Sequence, residues 1–139
     1  MIYVYDVSYI CALIIPDEKT PRIDKLHRAI NENDEVFAPQ LLWYEITNIL
    51  KNLNKRKRYT SQIVAGFFPM LSAIRLITDF ETGVTYCDKL LSLCNFYNLP
   101  AYSAANLELA DRKKAILCTL DDDLIVAAKK HGVTIINES

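Results

Sequence analysis

The chain has 139 residues, of which 51% are hydrophobic and 24% charged, and its formal net charge at pH 7 is −1. This length and composition suit one globular domain over residues 1–139 and argue against a disordered or fibrous chain. No apolar stretch reaches the roughly 20 residues of a membrane helix, and the N-terminus lacks the pattern of an export leader, so we expect a cytoplasmic protein without membrane contacts.

The first half of the chain is predicted to contain two strands and three helices. In chain order these are a strand over residues 2–5, helices over 8–15 and 20–31, a strand over 35–38, and a helix over 41–53. Short apolar runs that end at a polar residue or a proline predict the strands, and apolar residues at intervals of three and four predict the helices. Thr20 and Pro21 provide the N-cap and the first helical position of the second helix.

The second half of the chain continues the alternation of strands and helices. The predicted elements are a helix over 61–72, a strand over 75–77, helices over 81–97 and 102–114, a strand over 115–120, a helix over 122–130 and a strand over 133–136. Such alternation predicts an α/β fold with three layers, α/β/α, and a mostly parallel central sheet. Only three glycines occur in the chain, which argues against a glycine-rich phosphate-binding loop.

Three acidic residues have positional reasons to meet. Asp6 and Asp121 directly follow predicted strands, and ligands of open parallel sheets bind beyond the carboxyl ends of the strands. Glu45 falls in the apolar stripe of the helix over 41–53, where a lone acid is unfavourable unless it is paired or ligated. We therefore predict that these three acids hold a divalent metal ion, with Asp123 as a fourth catalytic candidate.

Each acid also has an alternative structural role. Asp6 can cap the helix that follows it, Glu45 can form a buried ion pair, and Asp121 and Asp123 can interact with the dipole of the last helix. One metal site accounts for all of them together. Mg²⁺ or Mn²⁺ prefers oxygen ligands, lowers the pKa of bound water and neutralises charge on a phosphate, so this chemistry suits phosphodiester hydrolysis.

Five cations fall within eight residues near the end of the helix over 41–53. They are Lys51, Lys55, Arg56, Lys57 and Arg58. Because the net charge of the whole chain is close to zero, any attraction to nucleic acid has to be local, and this run is the candidate for phosphate contacts. The alternative is a solvated helix end, where cations are also favoured.

Four segments, in this order along nearly the whole chain, resemble the PIN-domain ribonucleases, specifically the VapC toxins of toxin–antitoxin pairs. The segments are residues 2–8, 16–18, 38–48 and 119–124, which carry Asp6, Glu45 and Asp121. The resemblance implies a Mg²⁺- or Mn²⁺-dependent endoribonuclease that cleaves RNA, with Ser8 orienting a carboxylate or water. It also implies a VapB-like antitoxin as partner and a homodimer.

The chain departs from this family at one position. Residues 102–110 resemble the segment that carries the family's third acid, yet Ser103 stands where an aspartate is expected. A hydroxyl brings no charge, so metal affinity should fall, although Asn106, three residues on, can supply a carbonyl oxygen. Two hypotheses follow: a metal-dependent endoribonuclease weakened at Ser103, or a catalytically inactive PIN-like module that binds RNA or an antitoxin.

Overall fold

The computed structural model describes residues 1–136, which form four strands and eight α-helices. In chain order the elements are β1 (Ile2–Tyr5), α1 (Val7–Ile14), a 3₁₀ turn (Pro16–Glu18), α2 (Pro21–Arg28), β2 (Glu35–Pro39), α3 (Leu41–Leu53), α4 (Ser61–Ala65), α5 (Phe67–Ala73), β3 (Ile77–Asp79), α6 (Val84–Tyr97), α7 (Ala101–Lys113), β4 (Ile116–Cys118) and α8 (Asp122–His131). No helix in this part of the chain is long and apolar enough to cross a membrane.

The four strands form one parallel sheet in the order β3-β2-β1-β4. Val4 in the second-to-last position of β1 pairs with Phe37 of β2 on one side and with Leu117 of β4 on the other. Neighbouring residues of β1 face opposite layers, since Tyr5 packs with α1, α2, α3 and α5, whereas Val4 packs with α7 and α8. The predicted three-layer α/β/α fold with a parallel central sheet is confirmed.

The boundaries of several elements differ from those predicted. The helix expected over 61–72 is two helices, because Pro69 in the first turn of α5 has no N–H to bond the preceding turn. Arg75 adopts a left-handed conformation with φ of 57°, so β3 begins at Ile77 instead of residue 75. Gly83, with φ of 100°, similarly delays α6 until Val84.

The end of the chain adds little to the sheet within the described residues. The strand predicted over 133–136 is reduced to a single parallel bridge between Ile135 and Leu117. Two backbone hydrogen bonds hold it, from the Leu117 N–H to the Thr134 carbonyl and from the Ile136 N–H to the Leu117 carbonyl. The predicted strand is therefore wrong in extent, since only this one bridge joins it to β4.

The parallel sheet brings the carboxyl ends of all four strands to one edge. Asp6 follows β1, Thr119 follows β4, and Pro39 of β2 pairs with Asp79 of β3. Helix α7 crosses the sheet beside β1, β2 and β4, and its residues from Ser103 to Ala110 are all buried. This edge and this helix carry the residues of the candidate site.

Candidate acidic site at the carboxyl edge of the sheet

Asp6 is the most enclosed acid of the site, with only 5% of its surface exposed. Its Oδ1 accepts hydrogen bonds from the Ser8 hydroxyl at 2.7 Å and from the Tyr9 N–H at 3.0 Å, and its Oδ2 accepts one from the Thr119 hydroxyl. The bond from Tyr9 makes Asp6 the N-cap of α1. The capping role and a role in a metal site are compatible, because a carboxylate has about four lone-pair sites.

The surroundings of Asp6 disfavour its negative charge. Burial raises the pKa of Asp6 above its ordinary value, and the charge of Asp121 raises it further, while the hydrogen bonds from Thr119, Ser8 and Tyr9 oppose the rise. No salt bridge among residues 1–136 involves Asp6, Glu45 or Asp121. A cation bound at this edge would therefore stabilise a charge that the protein leaves uncompensated.

Glu45 reaches the same region from α3. Burial, followed by the charge of Asp6, raises the pKa of Glu45 to about 7, so these two carboxylates influence each other. Its Oε1 is buried and has no hydrogen-bond partner. The predicted placement of Glu45 on the inward side of the helix is confirmed, and the alternative of a buried ion pair is not observed among the described residues.

The raised pKa of Glu45 makes the stability of the protein depend on pH. The stability that the neutral side chain provides is fully present below its ordinary pKa of about 4.5 and is lost as pH rises from there through about 7, because the unfolded chain releases the proton first. Because Gln is neutral at every pH, we expect Glu45→Gln to raise the free energy of unfolding by roughly 2 kcal/mol at pH 8 and hardly at all at pH 5. Urea denaturation at both values measures the difference.

A matched control for this prediction is Glu32→Gln, which removes an exposed carboxylate from the loop after α2. We expect it to change stability by less than about 0.5 kcal/mol at either pH. If Glu45→Gln altered stability equally at pH 5 and pH 8, the raised pKa and the coupling to Asp6 would be refuted.

Asp121 and Asp123 lie where β4 passes into α8. The Oδ1 of Asp121 accepts hydrogen bonds from the N–H groups of Asp123 at 3.0 Å and Leu124 at 3.4 Å, so Asp121 is the N-cap of α8. The side chain of Asp123 is exposed in the first turn of that helix, which agrees with the alternative of a dipole interaction. Both residues lie beside the site; the hydrogen bonds to the Asp6 carboxylate come from Ser8, Tyr9 and Thr119, and Asp121 acts on Asp6 through its charge.

Thr119 connects these two strand ends and was missed by the sequence analysis. Its hydroxyl donates to Asp6 Oδ2 and accepts from the Asp121 N–H at 3.0 Å, while Ser8 Oγ accepts from the Leu120 N–H at 2.9 Å. Ser8 therefore orients a carboxylate, as predicted. The position of Thr119 directly after a buried strand, two residues before Asp121, is the pattern that could have identified it.

Ser103 and Asn106 are both buried in α7, with exposed fractions of 3% and 4%. The amide nitrogen of Asn106 donates to the Tyr102 carbonyl at 3.0 Å, but its Oδ1 is buried without a hydrogen-bond partner. Buried polar atoms are usually paired, so an unpaired oxygen in a helix beside the sheet needs an explanation. It agrees with the predicted use of Asn106 as an oxygen ligand, which stays a prediction.

The predicted metal ligands do not form a complete cluster of three acids. Within residues 1–136 no group of three or more His, Cys, Asp or Glu side chains is arranged to hold one metal ion. Asp121 uses one oxygen to cap α8, and Asp6 is held by three hydrogen bonds. The donor set still suits a hard ion, since Mg²⁺ commonly takes one or two protein carboxylates and completes its shell with water.

The basic run lies away from the acidic edge. Lys51 is in the last turn of α3, and the other four cations follow the helix, all of them exposed. At 1.5 Å per residue, Lys51 lies roughly 9 Å from Glu45 along α3, and the other four cations follow the end of that helix at Leu53. Arg58 also pairs with Asp17, so part of its charge is already used within the chain. Phosphate contacts of this run would therefore involve nucleotides away from the acids.

Asp79 is a further acid at the carboxyl edge that the sequence analysis missed. Its oxygens accept from Arg112 Nη1 at 3.0 Å and Nη2 at 2.7 Å, and the same guanidinium also binds Glu108. The Arg112 guanidinium holds the pKa of Asp79 below its ordinary value. Because both acids are compensated by a cation, they differ from Asp6 and Glu45 and are structural.

Comparisons with known proteins give matches in structure alone. No family model matches the sequence, and no curated protein matches it. The solved structure of PAE2754 from Pyrobaculum aerophilum has 20% identity and a TM-score of 0.64, with 91% of this chain and 84% of that chain covered. VapBC-1 from nontypeable Haemophilus influenzae has 15% identity and a TM-score of 0.65, and the match covers 99% of this chain and 98% of that chain. FitAB bound to an IR36 DNA fragment has 15% identity and a TM-score of 0.68, and the match covers 99% of this chain and 95% of that chain.

These identities establish likeness of fold. The structural neighbours are PIN-domain proteins, and they are matched over nearly the whole chain. The fold implied by the four sequence segments is thus confirmed in three dimensions. The chain has a VapC-like PIN-domain fold.

Proposed function

We propose that the chain is a metal-dependent endoribonuclease of the VapC kind, which cleaves RNA phosphodiester bonds at the acidic edge of the sheet. The observation that supports this most is the buried carboxylate of Asp6 near the half-buried carboxylate of Glu45, whose Oε1 has no hydrogen-bond partner. Neither acid forms a salt bridge among the described residues. Neutral side chains at these positions would make the fold more stable, because burying uncompensated carboxylates is unfavourable. The acids are therefore better explained by a function than by stability.

Asp6 and Glu45 would hold Mg²⁺ or Mn²⁺, with Asp121 bound directly or through water and Asp123 assisting. When bound, the metal would lower the pKa of a bound water molecule and neutralise charge on the scissile phosphate. The residues of the chain position this site: Ser8 and Thr119 fix the orientation of Asp6, and Asn106 offers an unpaired oxygen. Ser103 supplies a hydroxyl where a third carboxylate would otherwise raise metal affinity.

The proposal extends to partners. The basic run from Lys51 to Arg58 would bind phosphates of the RNA at some distance from the cleaved bond. The resemblance to VapC toxins supports a VapB-like antitoxin, a homodimer and a cytoplasmic location. A catalytically inactive PIN-like module that binds RNA or the antitoxin is the alternative, and the specific observation in its favour is Ser103.

The experiment that separates these two functions is an RNA cleavage assay. The purified chain and the variant Ser103→Asp are incubated with single-stranded and structured RNAs in Mg²⁺, in Mn²⁺ or in EDTA. We expect cleavage by the wild-type chain in both metals, none in EDTA, and faster cleavage by Ser103→Asp because an added carboxylate strengthens metal binding. Cleavage by Ser103→Asp alone would instead identify the wild-type chain as the inactive module.

A further inference from the structure

An exposed aromatic side chain lies beside an open cavity at the end of α6. Phe96, in the last turn of this helix, is 80% exposed. A cavity of about 370 Å³ opens next to it, between the C-terminal end of α6 and the outer face of α8. This volume falls within the roughly 300 to 1,000 Å³ typical of small-ligand sites. The cavity is therefore large enough to receive a planar ring against Phe96.

Helix α8 connects this cavity with the acidic site. Asp123, Val126 and Lys130 all line the cavity, and their spacing of three and four residues places them on one face of the helix. The backbone N–H of Asp123 donates to the carboxylate of Asp121, so one end of the cavity adjoins the acids. Lys130 lies seven residues further, or about 10 Å along the helix, and places a cation at the other end.

The aromatic ring of Phe96 lies against one fixed neighbour and is otherwise open to solvent. It packs edge-on against Tyr97, with ring centroids 4.8 Å apart and an angle of 74° between the planes. The Tyr97 hydroxyl is hydrogen-bonded to His131 Nδ1 at 2.7 Å, and His131 Nε2 lies 3.4 Å from Asp111. This chain of contacts joins α6, α7 and α8. Most of the Phe96 ring stays open to solvent beside these contacts, so a ligand can stack on it.

We propose that this cavity is a nucleotide subsite, in which Phe96 stacks on one base of a single-stranded RNA and Lys130 contacts a neighbouring phosphate. The inference rests on the proposed ribonuclease function and adds the substrate class to it. Aromatic stacking requires an unpaired base, because bases within a helix are already stacked on one another. Asn98, which also lines the cavity, provides both an amide donor and a carbonyl acceptor for the edge of that base.

The polar groups of the cavity favour a nucleotide over a protein partner. An apolar protein contact would leave Lys130 and Asn98 covered and without partners, which is unfavourable. A nucleotide offers a planar ring to Phe96, hydrogen-bonding groups to Asn98 and a negative phosphate to Lys130. An RNA strand whose phosphate lies at the acids can reach this cavity directly, since Asp123 lies at the boundary of both.

The test is the binding of a short fluorescein-labelled single-stranded RNA in EDTA, measured by fluorescence anisotropy, so that cleavage does not contribute. We expect Phe96→Ala to weaken binding about tenfold and Phe96→Trp to retain it, since stacking survives in the second variant. Phe68→Ala, which removes a phenylalanine that is 54% exposed on α5, is the matched control and should bind like the wild-type chain. Lys130→Gln should reduce the salt dependence of log Kd by about 0.7.

Equal affinities for the wild-type chain and Phe96→Ala would overturn the subsite, as would no RNA binding by the wild-type chain. A change of molar mass in Phe96→Ala by light scattering, with RNA affinity unchanged, would also overturn it and would assign Phe96 to a contact between proteins. The two proposals fail separately. Binding that depends on Phe96 without any cleavage in Mg²⁺ would support the subsite and contradict the ribonuclease, whereas cleavage with binding indifferent to Phe96 would contradict the subsite alone.

Discussion

Asp6→Asn is expected to slow metal-dependent RNA cleavage by about a thousandfold, which corresponds to roughly 4 kcal/mol of transition-state stabilisation. Asparagine keeps an oxygen that can accept from the Tyr9 N–H and cap α1, but it removes the charge that would hold the metal. Single-turnover cleavage in saturating RNA with Mg²⁺ measures the loss. Thermal unfolding of the same purified variant should show a cooperative transition, because the variant remains folded.

Thermal stability is a second measurement for this variant, and it should change in the opposite direction to activity. Because the pKa of Asp6 is raised in the folded state, the stability provided by its neutral form is lost as pH rises above the ordinary value. A neutral amide avoids that loss, so the Tm of Asp6→Asn at pH 8 should equal or exceed that of the wild-type chain. Asp122→Asn, which removes an exposed aspartate from the first turn of α8, is the matched control and should leave cleavage unchanged. Normal cleavage by Asp6→Asn would remove Asp6 from the metal site.

The parts of the site that sequence patterns predicted are those governed by local structure. Asp6 and Asp121 follow apolar runs; Asp6 caps the helix after β1, as its alternative role predicted, and Asp121 is found to cap the helix after β4. Glu45 falls in the apolar stripe of α3, and its position alone predicted an inward carboxylate. The helical period of 3.6 residues determines where the Glu45 side chain lies, and a capping position after an apolar run determines where the side chains of Asp6 and Asp121 lie.

The parts that could not be predicted depend on contacts between distant segments. The hydrogen bond from Thr119 to Asp6 joins residues 113 positions apart, and the pair between Arg112 and Asp79 joins residues 33 positions apart. Asp79 was also missed because the strand was predicted over 75–77, whereas Arg75 adopts a left-handed conformation and β3 extends from Ile77 to Asp79. The unpaired oxygen of Asn106 depends on which groups surround it in the folded chain, and a sequence pattern gives no information about an unmet hydrogen bond.

Arg112→Met is expected to lower the free energy of unfolding by about 3 kcal/mol at pH 8, the range measured when one partner of a buried ion pair is removed. The guanidinium donates two hydrogen bonds to Asp79, at 3.0 and 2.7 Å, and binds Glu108 through Nε at 2.9 Å. Only 12% of the Asp79 side chain and 6% of the Glu108 side chain are exposed. Methionine fills a similar volume but leaves two buried carboxylates facing each other, and urea denaturation measures the cost.

The loss in Arg112→Met should depend on pH in a defined direction. In the wild-type chain Arg112 lowers the pKa of Asp79, so the stability of this pair is present above about pH 4 and is lost only in stronger acid. In the variant the uncompensated carboxylates gain protons as pH falls, so the deficit should be smaller at pH 5 than at pH 8. Adding Asp79→Asn and Glu108→Gln should recover most of the stability, whereas Arg28→Met, at an exposed position of α2, should cost less than about 0.5 kcal/mol. A stability deficit that is the same at both pH values and persists in the triple variant would mean that Arg112 acts through its packing. The charges would then contribute nothing to holding β3 against α7, the helix that carries Ser103 and Asn106.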